Sequence, residues 1–171
     1  MQKIEITSFR SLYKEQVIQL ILDIQRNEFK VPITLQDQPD LENVEAFYQA
    51  KKGNFWVAND EGKVVGTVAL LDVGNNIGAL RKMFVRDKYR GKEIGVGQQL
   101  LDTLLEWAKR NNFERILLGT TERMRAASRF YEKNGFIKTA RKDLPCIFPV
   151  MKVDTVFYEL KFIDKECLPF V

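Results

Sequence analysis

Between Leu80 and Asn111 the chain reads LRKMFVRDKYRGKEIGVGQQLLDTLLEWAKRN, and few folds accommodate such a stretch. Leu80 to Arg86 is an apolar run with interspersed basic residues, short enough for a buried strand. Asp87 to Gly97 is turn-rich and holds Arg90, Gly91, Lys92, Gly95 and Gly97. From Gln98 to Arg110, Leu101, Leu104, Leu105 and Ala108 recur at helical spacing, with Leu100 and Trp107 widening the apolar face. Strand, glycine-bearing basic turn, helix is an arrangement suited to a phosphate group. The first turn of a helix carries unpaired backbone N–H groups and a partial positive charge. Glycine lets the backbone approach an anion closely, because no side chain intervenes.

Two nucleotide-binding patterns are excluded by the string itself. There is no GxxxxGK(S/T), and no GxGxxG followed by a ribose-binding carboxylate. Histidine is absent from all 171 residues, which removes a Ser-His-Asp triad and any histidine metal site. Cys146 and Cys167 stand far apart without metal-type partners and read as free thiols of a reducing cytoplasm. No apolar run is long enough to span a membrane, and the N-terminal stretch lacks a signal-peptide core. The expectation is one cytoplasmic domain over residues 1–171. The net charge of +4 is mild, and its excess lies around Arg81–Lys92 and Arg110–Arg141. That suits a local anionic ligand better than a nucleic-acid coat.

Taken in order, Lys3–Thr7 alternates and opens as a strand, with Ser8 or Ser11 as a helix cap. Leu12–Phe29 carries a helical stripe that stops before Pro32, and Leu41–Lys51 reads as a second helix. Three strands follow, Asn54–Ala58, Lys63–Val73 and Ile77–Arg86, joined by turns at Asn59–Gly62 and Gly74–Asn76. Trp56 belongs to the sheet core. Beyond the central helix come a strand at Arg115–Gly119, a helix at Glu122–Lys133 capped by Thr120 or Thr121, and strands at Phe136–Thr139 and Val153–Phe162. Strand, helix, strand implies a parallel pair at the centre. The order is β-α-α-β-β-β-α-β-α-β-β, a mixed α/β (α+β) sheet, mostly antiparallel. Lys142–Pro149, with Phe148 and Met151, is either part of an acceptor pocket or a structural loop.

Two motifs carry a family resemblance. Arg90-Gly91-Lys92-Glu93-Ile94-Gly95, after Met83–Val85, resembles motif A of the GNAT superfamily of N-acetyltransferases, with Glu93 where the pattern prefers glycine. Phe130 to Phe136, FYEKNGF, resembles motif B. Ala127 matches the alanine four residues before the motif tyrosine, and Met124 replaces the common asparagine. The resemblance covers roughly Lys3 to Phe162. It implies a GNAT-like acyl-CoA N-acyltransferase fold with a splayed parallel strand pair, acetyl-CoA as co-substrate, no metal, and direct transfer to a primary amine of a small molecule or peptide. Residues implied for the cofactor are the backbone of Met83, Phe84 and Val85 and the loop Arg90, Gly91, Lys92, Glu93, Gly95 and Val96. Tyr131 matches the tyrosine that protonates the departing thiolate; by residue type alone it also reads as a packing aromatic at a helix end. Without histidine the base is a carboxylate: Glu28, Asp37, Asp40 or Asp72, with Glu28 placed best by its position at the end of the first helix, next to the substrate-side loop of such a fold. The basic residues Arg81, Lys82, Arg86, Lys88, Arg90 and Lys92 divide between coenzyme phosphates and solvent. The alternative is a catalytically silent acyl-CoA-binding module. The alternating last strand offers an edge for a homodimer.

Overall fold

The computed structural model describes residues 3–162, so Cys167 lies outside the described residues. The chain forms two compact units. One comprises the described residues up to Leu71 together with Leu80–Ala108; the other comprises Asp72–Ala79 and the described residues from Lys109 to Phe162.

In the first unit, β1 (Ile4–Ser8) pairs antiparallel with β2 (Asn54–Asp60), from Ile4↔Asp60 to Ser8↔Trp56. β2 pairs antiparallel with β3 (Lys63–Gly74), with a bulge at Ala58/Asn59. Asn59 Oδ1 accepts the Gly62 N–H at 2.7 Å and closes the turn between them. α1 (Lys14–Asp23) buries Val17, Leu20 and Ile21, one turn apart, in a cluster with Leu41, Val44, Tyr48, Phe55 and Val57. α2 (Val96–Arg110) buries Val96, Leu100, Leu101, Leu104 and Ala108, the stripe that its spacing predicts. Trp107 pins α2, its indole N–H donating to the Lys52 carbonyl at 2.8 Å while its ring meets Trp56 edge-on.

Three expectations change in this unit. No side-chain bond caps the first helix; Ser8 stays in β1, where its hydroxyl accepts from Asn54. α1 ends at Asp23 and runs on as a wide π-turn, Ile24–Glu28, closed by the Phe29 N–H on the Ile24 carbonyl. The second helix is absent as an α-helix. A 3₁₀ turn at Pro39–Leu41 and a π-turn at Glu45–Gln49 replace it. The Tyr48 hydroxyl donates to Asp40 at 2.5 Å and links the two turns.

In the second unit, the first residues of β4 (Ile77–Val85) pair parallel with β5 (Arg115–Thr120), from Ile77↔Arg115 to Ala79↔Leu117. β5 also pairs antiparallel with β7 (Val156–Lys161), and β7 with β6 (Ile137–Thr139). β7 is shorter than its alternation suggests, because Asp154 closes a turn on Met151 through its carboxylate and its own N–H. α3 (Arg125–Lys133) starts three residues later than expected and has no side-chain cap; Thr120 is the last residue of β5, and its hydroxyl meets Met124 Sδ at 3.6 Å. Phe148 is buried against Phe157, whereas Met151 is exposed.

β4 runs through both units, and the hydrogen-bonded strand order is β1-β2-β3-β4-β5-β7-β6. The fold is therefore a mixed α/β sheet of seven strands, mostly antiparallel, with one parallel pair, β4 and β5. No helix among the described residues is long and apolar enough to cross a membrane.

Candidate active site

The loop between β4 and α2 turns on two left-handed glycines. After a 3₁₀ turn at Asp87–Tyr89 the chain passes through Gly91 at φ +94° and Gly95 at φ +66°, the left-handed region that glycine enters without a steric penalty. The Gly95 N–H returns to the Gly91 carbonyl at 3.0 Å, which curls the loop into the start of α2. α2 has no acidic residue in its first turn, so its N-terminal dipole is not already compensated from within the helix. Lys92 and Glu93 are exposed beside it. Main-chain N–H groups at a helix start, with a lysine nearby, are the kind of donor that a diphosphate takes.

Arg90 is already engaged. Its Nε donates to the Val85 carbonyl at 2.7 Å, and its two terminal nitrogens grip both carboxylate oxygens of Glu28, Nη2 to Oε2 at 2.7 Å. Asp87 lies 3.9 Å from Nη1. The structure thus joins two residues that the sequence assigned separately, one to the cofactor and one to the base. The hydrogen bond from Arg90 holds the Glu28 carboxyl below the usual carboxylate range, despite an opposing effect of partial burial. Such a carboxylate is a poorer proton acceptor than an isolated one.

The other candidate carboxylates are also accounted for. Asp37 accepts from the Thr34 N–H and hydroxyl at 2.9 and 2.8 Å, a turn-forming role. Asp72 accepts from the Gly74 N–H in an exposed turn. Asp40 is different: it is buried, with Oδ2 2.5 Å from the Tyr48 hydroxyl and 3.4 Å from Lys82 Nζ.

Along β4, Phe84 packs on the core cluster around α1, Val85 is buried and Met83 is half-buried. Lys82, just before them, is in the left-handed region at φ +54°, and its carbonyl accepts the Thr67 hydroxyl at 2.7 Å. Its Nζ donates to Gln38 Oε1 at 2.6 Å, and Gln38 exchanges hydrogen bonds with Gln25. Sequence reasoning missed this cluster. Asp40 stood among the candidate carboxylates and Lys82 among the basic residues, but nothing in the sequence marks that they meet. Arg26, Lys30, Pro32 and Thr34 line a depression of about 480 Å³ in the loop after α1.

Tyr131 belongs to the second unit. It is 5% exposed on α3, among the rings of Phe130, Phe136 and Tyr158 at 5.6, 5.6 and 6.3 Å. Burial raises its pKa, so the phenol keeps its proton at neutral pH. The residues after it form the end of α3: the Phe136 N–H returns to the Tyr131 carbonyl at 3.1 Å, and Asn134 Nδ2 donates to Phe130. Glu132 accepts from the Tyr158 hydroxyl at 2.8 Å.

Comparison with known proteins agrees with this architecture. The family model described as the Acetyltransferase (GNAT) family matches residues 18–136. A Xenopus tropicalis protein named N-acetylaspartate synthetase is 42% identical over 99 residues, which cover 57% of this chain and 36% of that protein. This chain thus spans about a third of the length of that relative. A GNAT-family acetyltransferase structure from Staphylococcus aureus Mu50 superposes with a TM-score of 0.88 at 42% identity, covering 93% of this chain and 99% of that one. The PaiA N-acetyltransferase of Thermoplasma acidophilum, solved in complex with coenzyme A, shares the fold at a TM-score of 0.72 and 17% identity, over 94% of this chain and 99% of that one. With motifs, strand order and family match in agreement, the chain belongs to the GNAT acetyltransferase family.

Proposed function

We propose that this chain transfers the acetyl group of acetyl-CoA directly to a primary amine of a small molecule or peptide, in a ternary complex, with both units acting as one catalytic domain in the cytoplasm. The observation that carries the reading is the loop from Arg90 to Val96, with its two left-handed glycines opening α2, in a chain of the GNAT family. In this reading the pyrophosphate takes main-chain N–H groups of Arg90–Val96, and Lys92 adds charge. The backbone of Met83–Val85 holds the pantetheine arm, and an N–H near Phe84 or Val85 stabilises the oxyanion. Tyr131, kept protonated by burial, gives its proton to the departing thiolate. Glu28 holds Arg90 and thereby the path of the loop, a role that its lowered pKa suits better than that of base. Positioning supplies much of the rate, since fixing amine and thioester together can contribute about 7–11 kcal/mol.

The name of the Xenopus tropicalis relative makes an amino acid one acceptor to try. The test is thiol release from acetyl-CoA with a panel of aspartate, other amino acids, polyamines, an aminoglycoside and peptide N-termini. Turnover with any amine supports the reading. Tight acetyl-CoA binding without turnover across the panel would favour the silent binding module instead.

A further inference from the structure

Lys82 sits where neither its backbone nor its side chain is comfortable. A lysine at φ +54° within a strand is strained, and its side chain is 7% exposed. The strain turns that side chain into a polar cluster built by two separate turns. Gln38 and Asp40 come from the end of the loop after α1, and Tyr48 from the π-turn that follows. Burying an ion pair adds little to stability by itself, because desolvation offsets the attraction. Strain and buried charge together, in the residue just before Met83–Val85, point to a functional use.

We propose that Lys82, set by Gln38 and Asp40, is the group that takes the proton from the acceptor's ammonium, so that a neutral amine attacks the thioester. The inference rests on the acetyl-transfer reading above. The Asp40 carboxylate favours it. With Lys82 neutral, Asp40 is left beside it as a buried carboxylate that attracts an ammonium, against the opposing charge of Arg81. With the proton accepted, Lys82 and Asp40 form an ion pair. Asp40 and Arg81, the latter from β4 itself, act on the Lys82 amine, and Tyr48 bonds to Asp40. Burial lowers the Lys82 pKa to about 8, Asp40 opposes the shift and Arg81 adds to it. Burial raises that of Tyr48, which therefore stays a neutral donor to Asp40.

The step balances. Lys82 takes one proton from the ammonium; the amine nitrogen bonds to the thioester carbon; the C–S bond breaks. The thiolate takes a proton from Tyr131, the new amide nitrogen gives its surplus proton back to that phenolate, and Lys82 returns its own to solvent.

The experiment compares pH profiles of kcat at saturating acetyl-CoA for wild type, Lys82→Met and Lys82→Arg, with the Lys82 Nζ titrated by nitrogen NMR in the wild type. The wild-type rate should rise about tenfold per pH unit and level off near pH 8, matching the NMR midpoint. Lys82→Met should be slower by about 10²–10⁴-fold at pH 7, with its rate climbing until the acceptor's ammonium itself deprotonates. Lys82→Arg keeps a cation but cannot deprotonate, and should be as slow as the methionine variant with acetyl-CoA affinity unchanged. An arginine variant with wild-type turnover, or a wild-type Lys82 that titrates at the ordinary lysine value, overturns the proposal. If Lys82→Met does not fold, the arginine variant and the wild-type titration still decide. A wild type without any acetyl transfer would instead overturn the function proposed above.

Discussion

Replacing Lys82 by methionine should change how stability depends on pH, and the size follows from the burial of its ammonium. The folded chain holds that proton less tightly than the unfolded chain, with a pKa of about 8 against the ordinary 10.5. Between those two values unfolding takes up a proton, so raising the pH opposes unfolding and the native state gains stability. One pH unit of such a difference is worth about 1.4 kcal/mol, so the full window contributes about 3 kcal/mol. The stability of the wild type relative to the variant should rise by about 3 kcal/mol from pH 8 to 10.5. Urea unfolding of both proteins at each pH unit from 7 to 10 measures it, and groups that titrate in both chains cancel in the difference. Parallel curves would refute the reasoning, since they would mean that Lys82 binds its proton equally well folded and unfolded.

Other perturbations give distinct outcomes. Tyr131→Phe keeps the ring contacts with Phe130, Phe136 and Tyr158, so its melting temperature should move little, while kcat falls by about 10²-fold or more with acetyl-CoA affinity unchanged in calorimetry. Glu28→Gln removes the charge that Arg90 grips; it should weaken acetyl-CoA binding only a few-fold and leave the pH profile of kcat in place, as expected of a residue that positions the loop. Leu101→Ala and Leu104→Ala each open a cavity beneath α2, where both side chains are fully buried, and should each cost about 2–5 kcal/mol in chemical denaturation.

Much of this molecule was legible in its sequence because its signals are local. The strands Asn54–Asp60 and Lys63–Gly74 announce themselves by apolar runs between turn residues, and α2 by a stripe repeating every three to four residues. The glycines of the Arg90–Gly95 loop stand where the backbone turns left-handed, so the chemical reason for their identity is also their signature. The π-turns at Ile24–Glu28 and Glu45–Gln49 were read as helix, since an extra residue per turn leaves the apolar spacing almost intact. The two ion pairs of the site were not legible at all. Glu28 meets Arg90, and Asp40 meets Lys82, across large sequence separations, and charged residues at such distances look like any solvated surface. The same holds for the caps. Ser8 and Thr120 have the right chemistry for helix starts, but strand pairing claims them first.

The account depends on the Arg90–Val96 loop as a seat for acetyl-CoA, and calorimetric titration tests that directly. Wild type should bind with a dissociation constant on the order of micromolar, about −8 kcal/mol. A variant with Gly91 and Gly95 both changed to valine forces branched side chains into φ +94° and +66° and should lose most of that affinity while β1–β3 and α1 remain folded. Equal affinity in the two proteins, or no binding by the wild type, would contradict the account.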